Sequence, residues 1–237
     1  MTARFSGFCR NAMKVIAACA RIHCARGLFV ALTGALALAG CSALPDKPTR
    51  PSMYDFGPGA VAAQPATGQA QLPPLAIDDI STSGGAIDNL PVLYRLGYTD
   101  VQQVRPYAQA RWSMPPSQLV QQRLRQQLGQ RRAVFRAGEG VTRNRSQNAV
   151  LPLQLRLELQ EFSQLFSAAD ASVGLIRLRA TLLELTPAGE KLVGQRQIVV
   201  QRPATTADAP GGVRALAAAT DAAIEEIDQW LQQTAVH

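Results

Sequence analysis

Leu151, Leu153, Leu155, Leu157 and Leu159 alternate with Pro152, Gln154, Arg156, Glu158 and Gln160. A side-chain period of two gives a strand one apolar face and one wet face, whereas a helix would spread the same leucines around its whole circumference. Leu, Gln, Glu and Arg individually favour helices, but the intrinsic preference spans only ~0.7 kcal/mol per ordinary residue. Burying five leucines on one face outweighs it, so the stretch is expected to be a strand. Val173–Leu185 and Leu192–Gln201 read as two further strands, joined by Thr186-Pro187-Ala188-Gly189, where Pro and Gly fall at the positions a type I turn prefers. An antiparallel meander is the natural product, and its apolar face needs a cover. After a break at Asp208–Gly212, a helix over 213–232 puts Leu216, Thr220, Ala223, Ile224, Ile227, Trp230 and Leu231 on one face and supplies it.

The preceding segment carries shorter signals of the same kind. Met53–Gly57, Leu75–Ile80, Pro91–Leu96 and Val104–Trp112 read as strands, with Ser81–Gly85 as a turn. A helix follows: Ser113 can cap it, Pro115 and Pro116 suit its first turn, Val120, Leu124 and Leu128 recur every fourth residue, and Gly129 offers a stop. The expected fold is therefore α+β: an antiparallel sheet packed against one internal and one C-terminal helix, forming a single domain over residues 75–237. Residues 41–74 hold seven prolines among Ala, Gly and Gln and read as a tether, interrupted by the short strand near 53–57.

The first forty residues read as a leader. Gly27–Gly40 is uncharged and apolar, and about 14 residues of helix span roughly 21 Å against a bilayer core of about 30 Å. Arg4, Arg10, Lys14, Arg21 and Arg26 precede it with no acidic residue. Leu38-Ala39-Gly40-Cys41 resembles the lipobox of bacterial lipoprotein signal peptides, which implies cleavage after Gly40 and lipidation of Cys41. The alternative is a retained amphipathic or spanning anchor, and Met13 is an alternative start. Cleavage would leave 197 residues, with 19 basic against 17 acidic side chains, so the formal charge of +7 is mostly a property of the leader. That removes the main argument for a nucleic-acid partner. Ser42, in place of Asp, follows the cysteine, which by the sorting pattern of bacterial lipoproteins implies the outer membrane.

Catalytic chemistry finds little to work with. Cys9, Cys19 and Cys24 precede the cleavage point, so Cys41 is left as the only thiol, the Cys19-His23-Cys24 cluster would be discarded, and no metal site or cofactor is expected. His237 would be the one remaining histidine, so neither a histidine triad nor a cysteine nucleophile can be assembled. Asp78 with Asp79, Glu158 with Glu161, and Glu225 with Glu226 are carboxylate pairs whose spacing favours solvated surface over a shared proton. Gly84-Gly85 lacks the lysine and helix of a phosphate loop. The chain reads as a non-enzyme.

One charge feature survives removal of the leader. Ten arginines and no lysine lie between Arg95 and Arg145, against only Asp100 and Glu139. Either they form a solvated face, or Arg131, Arg132, Arg143 and Arg145 meet anionic lipid headgroups or an acidic partner, for which a planar guanidinium is suited.

Tyr94-Arg95-Leu96-Gly97-Tyr98, Val104–Tyr107, Ala110-Arg111-Trp112, Pro115-Pro116 and the helix Leu119–Leu128, placed after a lipobox and a short strand at Tyr54–Gly57, resemble the ABC-type transport auxiliary lipoproteins, the PqiC-like group. The resemblance implies a family motif at Tyr94, Arg95, Tyr107, Arg111, Trp112, Pro115 and Pro116. It also implies a periplasm-facing lipoprotein working with an MCE-domain protein, a permease and an ATPase to move lipids across the envelope. The competing reading is an outer-membrane lipoprotein that activates or scaffolds a peptidoglycan synthase. Two further partners stay open: a phospholipid or sterol-like ligand, and a second copy of the chain pairing through exposed sheet edges as a homo-oligomer.

Overall fold

The computed structural model describes residues 50–59, 72–137, 139 and 151–234. The leader, Leu38, Ala39, Gly40 and Cys41, the rest of the tether, Arg143, Arg145 and His237 lie outside the described residues. In chain order the elements are β1 (Ser52–Tyr54), β2 (Leu75–Ile77), β3 (Ser81–Thr82), β4 (Pro91–Leu96), β5 (Asp100–Trp112), α1 (Pro116–Leu128), β6 (Val134–Arg136), β7 (Leu153–Phe166), β8 (Ser172–Thr186), β9 (Gly189–Pro203) and α2 (Ala209–Thr234).

The leucine-alternating stretch is the spine of a nine-stranded sheet. One edge of β7 pairs antiparallel with β8 from Gln154 to Phe166, and β9 closes that side antiparallel to β8. The other edge of β7 is shared in succession by β2, β3 and β4, all parallel to it. Beyond them lie β6 on β2 and β5 on β4, with β1 parallel to the end of β5. The expected α+β class is therefore what the chain adopts, and the long strands form the expected meander, but the sheet as a whole is mixed. Parallel pairing requires a long connection, and β2, β3 and β4 are separated from β7 by the whole excursion through α1.

Leu155, Leu157 and Leu159 are buried on the inner face and Arg156 is exposed on the outer one, as the period of two demands. A register shift between Leu159 and Glu161 then carries the strand on to Phe166, with Phe162 turned inward. The inner face of β7, β8 and β9 meets α2, whose Leu216, Ala219, Ala223, Ile224, Ile227 and Leu231 are all within 2% of complete burial. Leu119, Val120, Leu124 and Leu128 of α1 join the same core.

Both helices begin differently from the sequence expectation. Pro115 occupies the cap position of α1 without a side-chain bond, while the Ser113 amide donates to the Tyr54 carbonyl oxygen at 2.8 Å and ties the turn to β1. For α2, Gly211 and Gly212 read as a break but form its first turn. Asp208 caps it, accepting from the Gly211 amide at 2.8 Å and from Thr206 Oγ1 at 2.6 Å. Those bonds hold the Asp208 carboxyl below its usual range.

Candidate functional site

The motif residues gather into two clusters along β5. In the first, Tyr94 on β4 and Tyr107 in the middle of β5 pack at a tilt with ring centroids 4.5 Å apart, and Tyr94 meets Phe166 edge-on at 6.0 Å. Tyr107 donates to Gln164 Oε1 at 2.8 Å, and Gln164, fully buried, donates to Ser172 Oγ at 2.8 Å. Burial is the main reason the Tyr107 phenol is pushed well above the ordinary tyrosine value of 10.0. Arg95 grips Glu161 with two nitrogens, at 2.9 and 3.3 Å, and also donates to the carbonyl oxygens of Val101 and Gln102. Arg95 thus joins the β4–β5 hairpin to β7.

In the second, at the last residue of β5, Trp112, 1% exposed, packs 5.7 Å from Phe56 and 5.5 Å from Phe162. The strand carrying Arg111 and Trp112 pairs with Met53 and Tyr54 of β1, and Pro115 and Pro116 start α1 immediately afterwards. The Tyr54–Gly57 stretch and the Arg-Trp and Pro-Pro elements, well separated in sequence, therefore form one joint.

The arginine-rich segment is largely internal wiring. Arg123 on α1 pairs through two nitrogens with Asp221 on α2, at 2.6 and 3.0 Å, and Gln127 donates to the same carboxylate. Arg125 donates to the Ile77 carbonyl oxygen at 2.9 Å. Arg132 turns inward, 8% exposed, and ion-pairs with Asp228, which Arg131 also approaches at 3.6 Å. Of the four arginines expected at an anionic surface, Arg131 is exposed, Arg132 is buried against α2 through Asp228, and Arg143 and Arg145 fall outside the described residues. The signal that could have placed Arg132 is the row of Asp221, Glu225 and Asp228 on one side of the C-terminal helix.

The carboxylates weighed as acid–base pairs are mostly engaged too. Asp78 accepts from Gln154 and Arg156, Asp79 from Gln121, Glu158 pairs with Arg179 at 3.2 Å, and Glu161 with Arg95. Among the described residues there is no group of three His, Cys, Asp or Glu side chains that could hold a metal ion. Among them also, no helix is long and apolar enough to cross a membrane. Between α1 and α2 lies an open groove of about 680 Å³, with Asp221, Asp228 and Gln127 among its lining.

A mixed sheet with β7 as its spine and two helices on one face is the architecture of the crystal structure of protein XCC0632 from Xanthomonas campestris. That protein superposes with a TM-score of 0.60 at 18% identity, over 78% of this chain and 96% of its own. The crystal structure of an uncharacterized protein gives 0.54 at 13% identity, over 77% and 99%. Protein CT253 of Chlamydia trachomatis gives 0.44 at 7%, over 70% and 100%. No curated protein matches the chain. The first two likenesses support the fold. The family follows from the sequence: residues 54–228 match the ABC-type transport auxiliary lipoprotein component family, and the chain belongs to it. It is an envelope-associated lipoprotein of an ABC-type transport system.

Proposed function

We propose that the protein is the non-catalytic auxiliary component of an MCE-type ABC lipid transport system, held at the outer membrane by lipid on Cys41 and facing the periplasm. The family match over residues 54–228 carries this reading. Its partners are an MCE-domain protein, a permease and an ATPase, and its work is to dock that assembly at the membrane. Support comes from the sequence Leu38-Ala39-Gly40-Cys41-Ser42 and from charged groups that brace the domain itself. One acyl chain gives only marginal membrane binding, so stable anchoring needs two or more on Cys41. The Pro-rich tether between Cys41 and β1 would let the domain stand off the headgroups: a dozen residues at about 3.1 Å each reach about 35 Å.

The test is fractionation and affinity capture of the full chain from envelopes. The wild type is expected in the outer-membrane fraction, bringing down an MCE protein with its permease and ATPase. Cys41→Ala is expected to be unlipidated and released. Retention of the variant with unaltered mass would overturn the anchor, and capture of a peptidoglycan synthase in place of the transporter subunits would overturn the partner assignment.

A further inference from the structure

A second cavity opens where β2, the start of β7 and the last turns of α2 meet. It measures about 250 Å³ and is walled by Leu72, Leu75, Leu153, Leu182 and Leu231, with the prolines at 73 and 74. Arg132 and Gln232 are its polar lining. The Arg132 side chain is only 5% exposed. Its terminal Nη2 is taken up by Asp228, but its Nε–H has no hydrogen-bond partner among the described residues. A buried donor without an acceptor carries its desolvation cost uncompensated, and the cost is larger on a charged group. Desolvation draws the Arg132 pKa below the ordinary arginine value, yet a guanidinium stays protonated in a protein. Because Arg131 also approaches Asp228, two guanidiniums share one carboxylate.

Leucine walls ask for an apolar body, and the one orphaned donor asks for a single acceptor, best an anionic one. We infer that this cavity seats one acyl chain, with a carboxylate or phosphate oxygen of its head accepting from the Arg132 guanidinium. The volume argues for one chain: it falls below the ~300–1,000 Å³ of sites that enclose drug-sized ligands, too small for a two-chain phospholipid. The chain's own approach to the cavity is a poor substitute. Residues 60–71, which lead into Leu72, offer Val61 as their single large apolar side chain and contain no carboxylate. The site rests on this geometry and not on the transport reading, and its test reads binding alone.

The full-length protein in nanodiscs is incubated with a diazirine-bearing dodecanoate, irradiated, and its labelled peptides are mapped by mass spectrometry. Labels are expected on the peptides holding Leu72–Leu75, Leu153, Leu182 and Leu231. Leu153 is only half-buried, so Leu153→Trp fills the cavity from its mouth and should lower labelling about tenfold. Unlabelled dodecanoate and lysophosphatidylglycerol should compete, and the one effective at lower concentration names the source of the acyl chain. Dodecanol, which keeps the chain and loses the charge, should compete about tenfold less well, the loss expected for one charge-assisted hydrogen bond. Labels scattered over other surfaces, or dodecanol competing as well as dodecanoate, would overturn the assignment. The dodecanol comparison needs no substitution, so it decides the matter even if Leu153→Trp fails to fold. Undiminished labelling in a folded Leu153→Trp protein would also overturn it.

Discussion

The Arg132–Asp228 pair offers a sharp test of how α1 and α2 are held together. In Asp228→Asn the side-chain shape and one acceptor remain while the charge is lost, leaving a guanidinium that is 5% exposed and cannot neutralise itself. Removing one partner of a buried pair costs about 3–5 kcal/mol. Asp228 is 20% exposed and the remaining amide still accepts, so the lower end, about 3 kcal/mol, applies. For a domain of this size that is a fall in Tm of roughly 6–12 °C. Arg132→Met should cost less, about 1–2 kcal/mol, because Asp228 keeps Arg131 at 3.6 Å and Gln232 Nε2 at 2.9 Å and is better solvated. The double variant Arg132→Met, Asp228→Leu replaces both charges with apolar volume and should come within about 1 kcal/mol of wild type. Urea unfolding of these proteins together with Asp228→Leu, the single variant that closes the cycle on the double, is followed by circular dichroism. The single costs should exceed the double by about 3 kcal/mol. Additive losses, or an Asp228→Asn cost below about 1 kcal/mol, would refute the claim that the pair is buried and mutually dependent.

Gly174 is the point where α2 touches β8: a Cβ there would lie 2.5 Å from the Ala215 carbonyl carbon and the Leu216 nitrogen. Gly174→Val should therefore destabilise by at least the ~1–3 kcal/mol of an overpacked core, whereas Gly85→Ala, with nothing within 4 Å, should be neutral or slightly stabilising in the same denaturation assay. Trp112→Ala removes the ring joining β1, β5 and β7 and should cost about 3–5 kcal/mol, read as a fall in urea midpoint. Tyr107 favours its neutral form in the fold, so its contribution is intact below pH 10.0 and declines above that, where the unfolded chain loses its proton first. Stability measured across that range should fall with pH, and Tyr107→Phe should flatten the decline.

The long-period signals were legible in the sequence. Five alternating leucines located β7, and the seven residues chosen for the inner face of the C-terminal helix are all buried. What was not legible depended on distant neighbours. β6 is three residues, Val134–Arg136, with no period of its own, and exists because β2 offers it an edge. Ser163 and Gln164 are polar yet fully buried, because Tyr107, Ser172 and Glu161 satisfy them from other strands or from the same one. Ser113 looks like a cap because its local sequence suits one, but β1 claims its backbone.

The arginine segment shows most clearly why local charge is a poor guide to function. Counted from Arg95 to Arg145, ten cations face two anions, and the surplus looks like a surface awaiting lipid or an acidic partner. In three dimensions the missing anions are supplied from far along the chain: Glu161 lies 66 residues from Arg95, Asp228 96 from Arg132, and Asp221 98 from Arg123. A segment rich in one charge, followed by a helix with the opposite charge on one flank, is what two elements that must find each other across a sheet would carry. Each pair fixes a position that the apolar face alone leaves free to slide, since leucine packing against leucine has no direction. Among the described residues Arg131, beside the open groove between the helices, and Arg136 are the members of the series left exposed. Cationic recognition by this segment therefore has to be argued from where each of these side chains lies, and not from the count of arginines.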